Sequence, residues 1–186
     1  MSDYPSNPNF KETGEQIFVW EADSTVESSL ESYRKMEKLL ASLHWDEEEI
    51  YKINYAFHEI LTNAIVHGNL GLKKTQSDKE KDFNGKVMAA EKLPQNRDKK
   101  VGIKVILSPT KAIIEIQDMG KNSPRFWENP TAGIRTGADI SWKSGRGIQI
   151  SEAFLNSVTY EKNNTGVKAT LIRDLSVPLP EKSGAH

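Results

Sequence analysis

The chain has 186 residues, with 25 basic against 26 acidic side chains, 37% hydrophobic residues and four tryptophans. That length supports one packed domain with tails rather than two of ordinary size, and the charge balance makes no electrostatic case for nucleic acid. The absence of cysteine excludes disulfides, thiolate catalysis and cysteine-based zinc sites, four scattered histidines argue against a His-only metal cluster, and no apolar run approaches the ~20 residues of a membrane span.

Residues Met1 to Gly14 are polar, with neither a basic n-region nor an apolar h-region, and predict a flexible tail on a cytoplasmic protein. A strand is predicted over Gln16 to Ala22. A helix follows over Val26 to Leu43, with Val26, Leu30, Tyr33, Met36, Leu39, Leu40 and Leu43 at three- and four-residue spacing. Asp46 then reads as the N-cap of a second helix, with Glu48 and Glu49 in its first turn and stops at Gly68 and Gly71. In that helix Ile50, Ile53, Phe57, Ile60, Leu61 and Ala64 share one face, while Glu59, Asn63 and His67 form a stripe roughly opposite. A carboxylate there can accept a proton from a hydroxyl or water, and an amide oxygen one turn later can help hold the magnesium that accompanies nucleotide phosphates. An ordinary solvated helix face has the same composition, so the helix alone leaves both readings open.

Periodicity is lost from Lys73 to Lys100, a stretch with a basic excess around Gly85, Pro94 and a short helical candidate, Lys86 to Leu93; it reads as an insertion or long loop. Strands Val101 to Leu107 and Ala112 to Gln117 form a hairpin across Ser108-Pro109-Thr110. Asp118-Met119-Gly120 follows, by itself no more than a turn signal. The interval Lys121 to Lys143 combines Pro124, Pro130, Gly133 and Gly137 with Phe126, Trp127 and Trp142, the composition of a mobile lid. Ser144-Gly145-Arg146-Gly147-Ile148 then opens a helix to Phe154, leaving backbone N–H groups free at a helix N-terminus, where an anion is stabilised. A second hairpin, Ser157 to Glu161 with Val167 to Arg173, precedes a polar tail, Pro178 to His186.

The order of these motifs is informative where each alone is weak. A helix with E-x-x-x-N-A-x-x-H-G-N, a strand ending in D-x-G, G-x-G opening a helix, and Thr170 in a last strand resemble the nucleotide-binding signature of the GHKL superfamily of gyrase, histidine kinase and MutL ATPases. Over roughly Ile17 to Arg173 the chain most resembles the bacterial anti-sigma-factor serine/threonine kinases. The resemblance implies an α+β, two-layer sandwich of the Bergerat type, with a mixed, mainly antiparallel sheet and helices on one face. It divides the chain into tails at 1–14 and 176–186 and one ATP-binding domain at 15–175, with an insertion at about 71–100 and an ATP lid at about 121–144.

By the same resemblance, Asp118 accepts the adenine amine, Thr170 completes the base contact, and Gly120 lets the backbone approach the base. Gly145, Arg146 and Gly147 meet the phosphates, Asn63 is the ligand of Mg2+, and Glu59 is the general base. His67 either caps the helix or faces the phosphates. Asn122, followed by Ser123-Pro124, stands where the family pattern has glycine. The implied function is an ATP- and Mg2+-dependent kinase that sequesters a sigma factor and phosphorylates a STAS-domain anti-anti-sigma protein, within a partner-switching pathway that includes a PP2C-type phosphatase. A homodimer using Leu30, Tyr33 and Met36 is expected. The alternative is a nucleotide-gated protein-binding module with little or no kinase activity, which Asn122 and the unusual lid favour. A detached histidine-kinase ATPase domain is disfavoured, because His44 and His58 sit on no phosphoacceptor hairpin.

Overall fold

The computed structural model describes residues 14–73, 79–120 and 146–179. Its strands are β1 (Gln16–Asp23), β2 (Lys100–Leu107), β3 (Lys111–Gln117), β4 (Ser157–Lys162) and β5 (Val167–Asp174), joined in the order β1-β2-β3-β5-β4. Every pair among the described residues is antiparallel. Alternation sets the inner face. Val101, Ile103, Val105 and Leu107 of β2, Ala112, Ile114 and Ile116 of β3, and Val167, Ala169 and Leu171 of β5 are all buried there. Each fully buried aliphatic side chain contributes roughly 1.5–3 kcal/mol of transfer free energy.

Among the described residues the helices cover that face only. Helix α1 (Val26–Ala41) starts at Thr25, whose hydroxyl accepts the Ser28 N–H at 3.1 Å. It packs beside α2 (Glu47–Asn63), which buries Ile53, Ala56, Phe57, Ile60 and Leu61. Met36 lies in the core with no exposed surface, so it is not part of an apolar surface for a second copy, whereas Leu30 is 43% exposed. The second predicted helix is not one α-helix to Gly68. At Ala64 it widens into a π-helix (Ala64–Asn69), marked by the Leu70 N–H bonded to the Ile65 carbonyl at 2.9 Å. Gly71, at φ 68°, then turns the chain away.

The segment read as an insertion carries a docked helix. Helix α3 (Glu80–Glu91) begins earlier than the candidate Lys86 to Leu93 and buries Phe83, Val87 and Ala90 against the core. Its Glu91 carboxylate accepts the Val26 N–H at 2.8 Å, at the head of α1. Helix α4 (Arg146–Phe154) packs along α2. Among the described residues no helix is long and apolar enough to cross a membrane.

One ion pair ties β5 to the start of α2. Arg173, 7% exposed, donates Nε–H to Glu49 at 2.6 Å and Nη1–H to Asn156 at 2.9 Å. The Arg173 guanidinium holds the Glu49 carboxyl below its ordinary value. A depressed folded pKa gives stability that is present above the unfolded pKa and lost as pH falls through the folded one. Glu49→Gln should therefore cost about 1.5–3 kcal/mol at neutral pH, and its melting-temperature deficit should shrink as pH falls below the unfolded value of about 4.3. A deficit unchanged between neutral and strongly acidic pH would show that the carboxylate charge does not hold this junction.

Candidate nucleotide site

At the end of β3 the chain places a carboxylate where water hardly reaches. Asp118 is 5% exposed, and its Oδ1 accepts the Val167 N–H at 3.0 Å and the Gly120 N–H at 2.9 Å. Its own N–H donates to the Val167 carbonyl at 3.0 Å. Burial pushes the carboxyl above its usual range, and the two backbone bonds offset part of that rise. Among the described residues no donor is bonded to Oδ2, which leaves one oxygen of the pair for a ligand.

Close packing of backbone makes this arrangement possible. A Cβ at Gly68 would overlap Asp118 Oδ2, one at Gly120 would overlap the Gly68 carbonyl, and one at Gly166 would overlap the Asp118 carbonyl and Oδ1. The π-helix, the turn after β3 and the β4–β5 turn therefore interlock around one side chain. Asn163 organises the last of these: its Oδ1 accepts the Thr165 and Gly166 N–H groups at 3.0 Å, and its Nδ2 donates to Gln117 at 2.7 Å.

A small cavity opens beside Asp118 between α2 and the sheet. Ile60, Ile116, Ile148, Val167 and Ala169 supply its apolar walls, and Asn63 and Tyr160 also reach it. Apolar walls with a few placed polar groups are the usual lining of small-molecule sites. Glu59 and Asn63 are half-buried one turn apart on α2. Gly147, in the first turn of α4, lies so close to Glu59 that a Cβ there would overlap its Oε2. The Glu59 carboxylate thus stands at a helix N-terminus, where negative charge is favoured. Ser151 donates to the Gly147 carbonyl at 2.7 Å and fixes that turn from within.

Two expected site residues lie elsewhere. Thr170 pairs with Glu115 and Thr159, and β5 buries the alternate residues Ala169 and Leu171, so Thr170 points to the sheet face that the helices leave uncovered. Val167 and Ala169 take its expected place at the cavity. His67 bonds through Nδ1 to the Leu72 carbonyl at 2.6 Å and lies against Phe83, with ring centroids 6.4 Å apart, because the π-helix breaks the stripe begun by Glu59 and Asn63. Its surroundings are those of a residue joining the π-helix to α3. Gly145, Asn122, the lid at 121–144 and the side chain of Arg146 lie outside the described residues.

In the sequence Gly68 marks no more than a helix stop, and Gly166 and Asn163 are ordinary turn residues between two strands. The signal present for the last two was Asn-Asn-Thr-Gly between strands, which marks a turn but not what the turn encloses. Among the described residues no group of three or more His, Cys, Asp or Glu forms a metal site. The amide oxygen of Asn63 is a hard donor of the kind Mg2+ accepts while its other positions are filled by water and phosphate oxygens.

The interlock is open to a direct test. Gly120→Ala sets a methyl group against backbone and should lower stability by about 1–3 kcal/mol. Gly85→Ala, in the middle of α3 with open space around it, should instead raise stability by up to about 1 kcal/mol. Denaturant unfolding of both variants decides; a neutral Gly120→Ala would mean that the three turns are slack.

Comparison with curated proteins gives no match. The model of the histidine kinase-like ATPase domain matches residues 24–173, a span that takes in Glu59, Asn63, Asp118 and α4 and leaves β1 outside it. The chain belongs to the histidine kinase-like ATPase domain family.

Proposed function

We propose that the protein is an ATP-binding serine/threonine kinase of the anti-sigma-factor type, acting in the cytoplasm, which sequesters a sigma factor and phosphorylates a STAS-domain anti-anti-sigma protein. The observation that carries this reading is a pair of carboxylates, Asp118 at the cavity and Glu59 one turn before the cavity residue Asn63 on α2. Asp118 lines the cavity with one oxygen that no donor among the described residues takes up, and Glu59 stands at the N-terminus of α4. Asp118 Oδ2 accepts the exocyclic amine of adenine, a bond that guanine, with a carbonyl at that position, cannot supply. The phosphates then extend toward Asn63 and the first turn of α4, where Mg2+ held by Asn63 would neutralise phosphate charge. Glu59 takes the proton of the acceptor hydroxyl as its oxygen bonds to the γ-phosphorus. The bond from that phosphorus to the bridging oxygen breaks, and ADP leaves.

The helical layer offers a surface for protein partners. Leu30 and Tyr33 of α1 face Tyr51, Tyr55 and His58 of α2 across an aromatic depression, and Tyr51 is 59% exposed. Exposed aromatic clusters of this kind favour protein contacts, which supports both a homodimer and a sigma-factor partner.

Asp118→Ala should weaken ATP binding about ten- to a hundredfold, the loss expected for a buried charge-assisted hydrogen bond. Glu59→Gln should bind ATP normally while phosphotransfer to a STAS-domain protein falls by about 10²–10⁴. Calorimetry with MgATP and transfer of labelled phosphate separate the two effects. Unchanged turnover in Glu59→Gln would remove Glu59 from the chemistry, and wild-type protein that binds MgATP but transfers no phosphate would make it a nucleotide-gated binding module.

A further inference from the structure

Asn69 is 1% exposed, and its side-chain amide is bonded on both ends. Its Oδ1 accepts the Met119 N–H at 2.6 Å, while Nδ2 donates to Ser24 Oγ at 2.8 Å and to the Lys100 carbonyl at 3.0 Å. Its backbone carbonyl accepts from Lys99 Nζ at 2.6 Å, and Ser24 in turn donates to the Lys99 carbonyl at 2.7 Å. Four stretches of chain therefore meet at one residue: the β1–α1 junction, the end of the π-helix, the start of β2 and the turn after β3.

We infer that Asn69 is a positioning residue for adenine recognition, which fixes the Asp118-Met119-Gly120 turn by holding its central N–H. The turn has three main-chain donors. Asp118 N–H goes to Val167 and Gly120 N–H goes back to Asp118 Oδ1. Met119 N–H is the one held by a side chain from outside both strands. Gly68 and Asn69 are consecutive and act on the same turn: Gly68 sets how closely the π-helix approaches the Asp118 carboxylate, and Asn69 sets the turn's position along the sheet. A carboxamide suits the place because it must accept on one side and donate twice on the other. Without it the Met119 N–H has no partner and Asp118 Oδ2 is free to shift, although no atom that touches the ligand has been removed.

The inference rests on the assignment of the adenine contact to Asp118, and the experiment separates the two. ATP and GTP affinities would be measured by calorimetry for wild type, Asn69→Ala, Asp118→Ala and Ser24→Ala. Ser24→Ala removes two bonds of the same junction, those to Asn69 Nδ2 and to the Lys99 carbonyl, but leaves the Met119 bond in place. Asn69→Ala should weaken ATP about tenfold and narrow the preference for ATP over GTP, whereas Ser24→Ala should lower the melting temperature and leave ATP affinity within about threefold. Wild-type ATP affinity and selectivity in folded Asn69→Ala, with weak binding in Asp118→Ala, would overturn the positioning role alone. Unchanged binding in Asp118→Ala would overturn the site assignment and the inference with it. Equal losses in Asn69→Ala and Ser24→Ala would reduce Asn69 to general support of the fold. Should Asn69→Ala fail to fold, Asn69→Ser replaces it, since the shorter hydroxyl cannot serve Met119 and Lys100 together, and the same outcomes decide.

Discussion

A buried carboxylate is costly unless its surroundings replace water, and Asp118 shows what that replacement requires. Two backbone N–H groups converge on one oxygen, and they can do so only because the turn after β3 and the start of β5 lie within touching distance. That proximity leaves no room for side chains at Gly68, Gly120 or Gly166. The raised pKa shows that the compensation is incomplete. A carboxyl whose folded pKa exceeds its unfolded one lowers stability at neutral pH, and the deficit vanishes as pH falls below the unfolded value. Among the described residues Asp118 has no ion pair, and a buried carboxylate so placed is a candidate for a binding role.

The rest of the architecture serves that constraint. The antiparallel order β1-β2-β3-β5-β4 sets β3 beside β5, so the end of one strand and the beginning of the other share the Asp118 bonds. The π-helix buries Gly68 and Asn69 together against the turn after β3. Helix α3 supports the π-helix from behind through Phe83 and His67 and reaches the head of α1 through Glu91. A partner that engages α3 would therefore bear on both the nucleotide site and the helical layer.

Much of this was legible in the residues. Period-two alternation in β2, β3 and β5 and the apolar stripe of α2 mark the two layers. Glu59, Asn63 and Asp118, picked out by motif order, do converge on one side of the sheet. What was not legible has physical reasons. Helix α3 has an apolar spacing at Phe83, Val87 and Ala90, but charged neighbours dilute it below a pattern that stands out. The π-helix has no sequence signature of its own, so the stripe was extended by one turn too many and His67 was aligned with Asn63. Thr170 was assigned by motif rather than by strand parity, and a period of two puts it on the opposite face from Ala169. Asn69 has no signal in the sequence because its partners, Ser24, Lys100 and Met119, are distant along the chain.

The proposed contact between Asp118 Oδ2 and the exocyclic amine of the base governs everything built on this site. The direct measurement varies the ligand and leaves the protein untouched: calorimetric affinities of the wild-type chain for ATP and for purine riboside triphosphate, which has hydrogen in place of that amine. Loss of a charge-assisted bond at a buried acceptor predicts at least about tenfold weaker binding of the amine-free nucleotide. Equal affinity for the two nucleotides would show that Asp118 does not read the base.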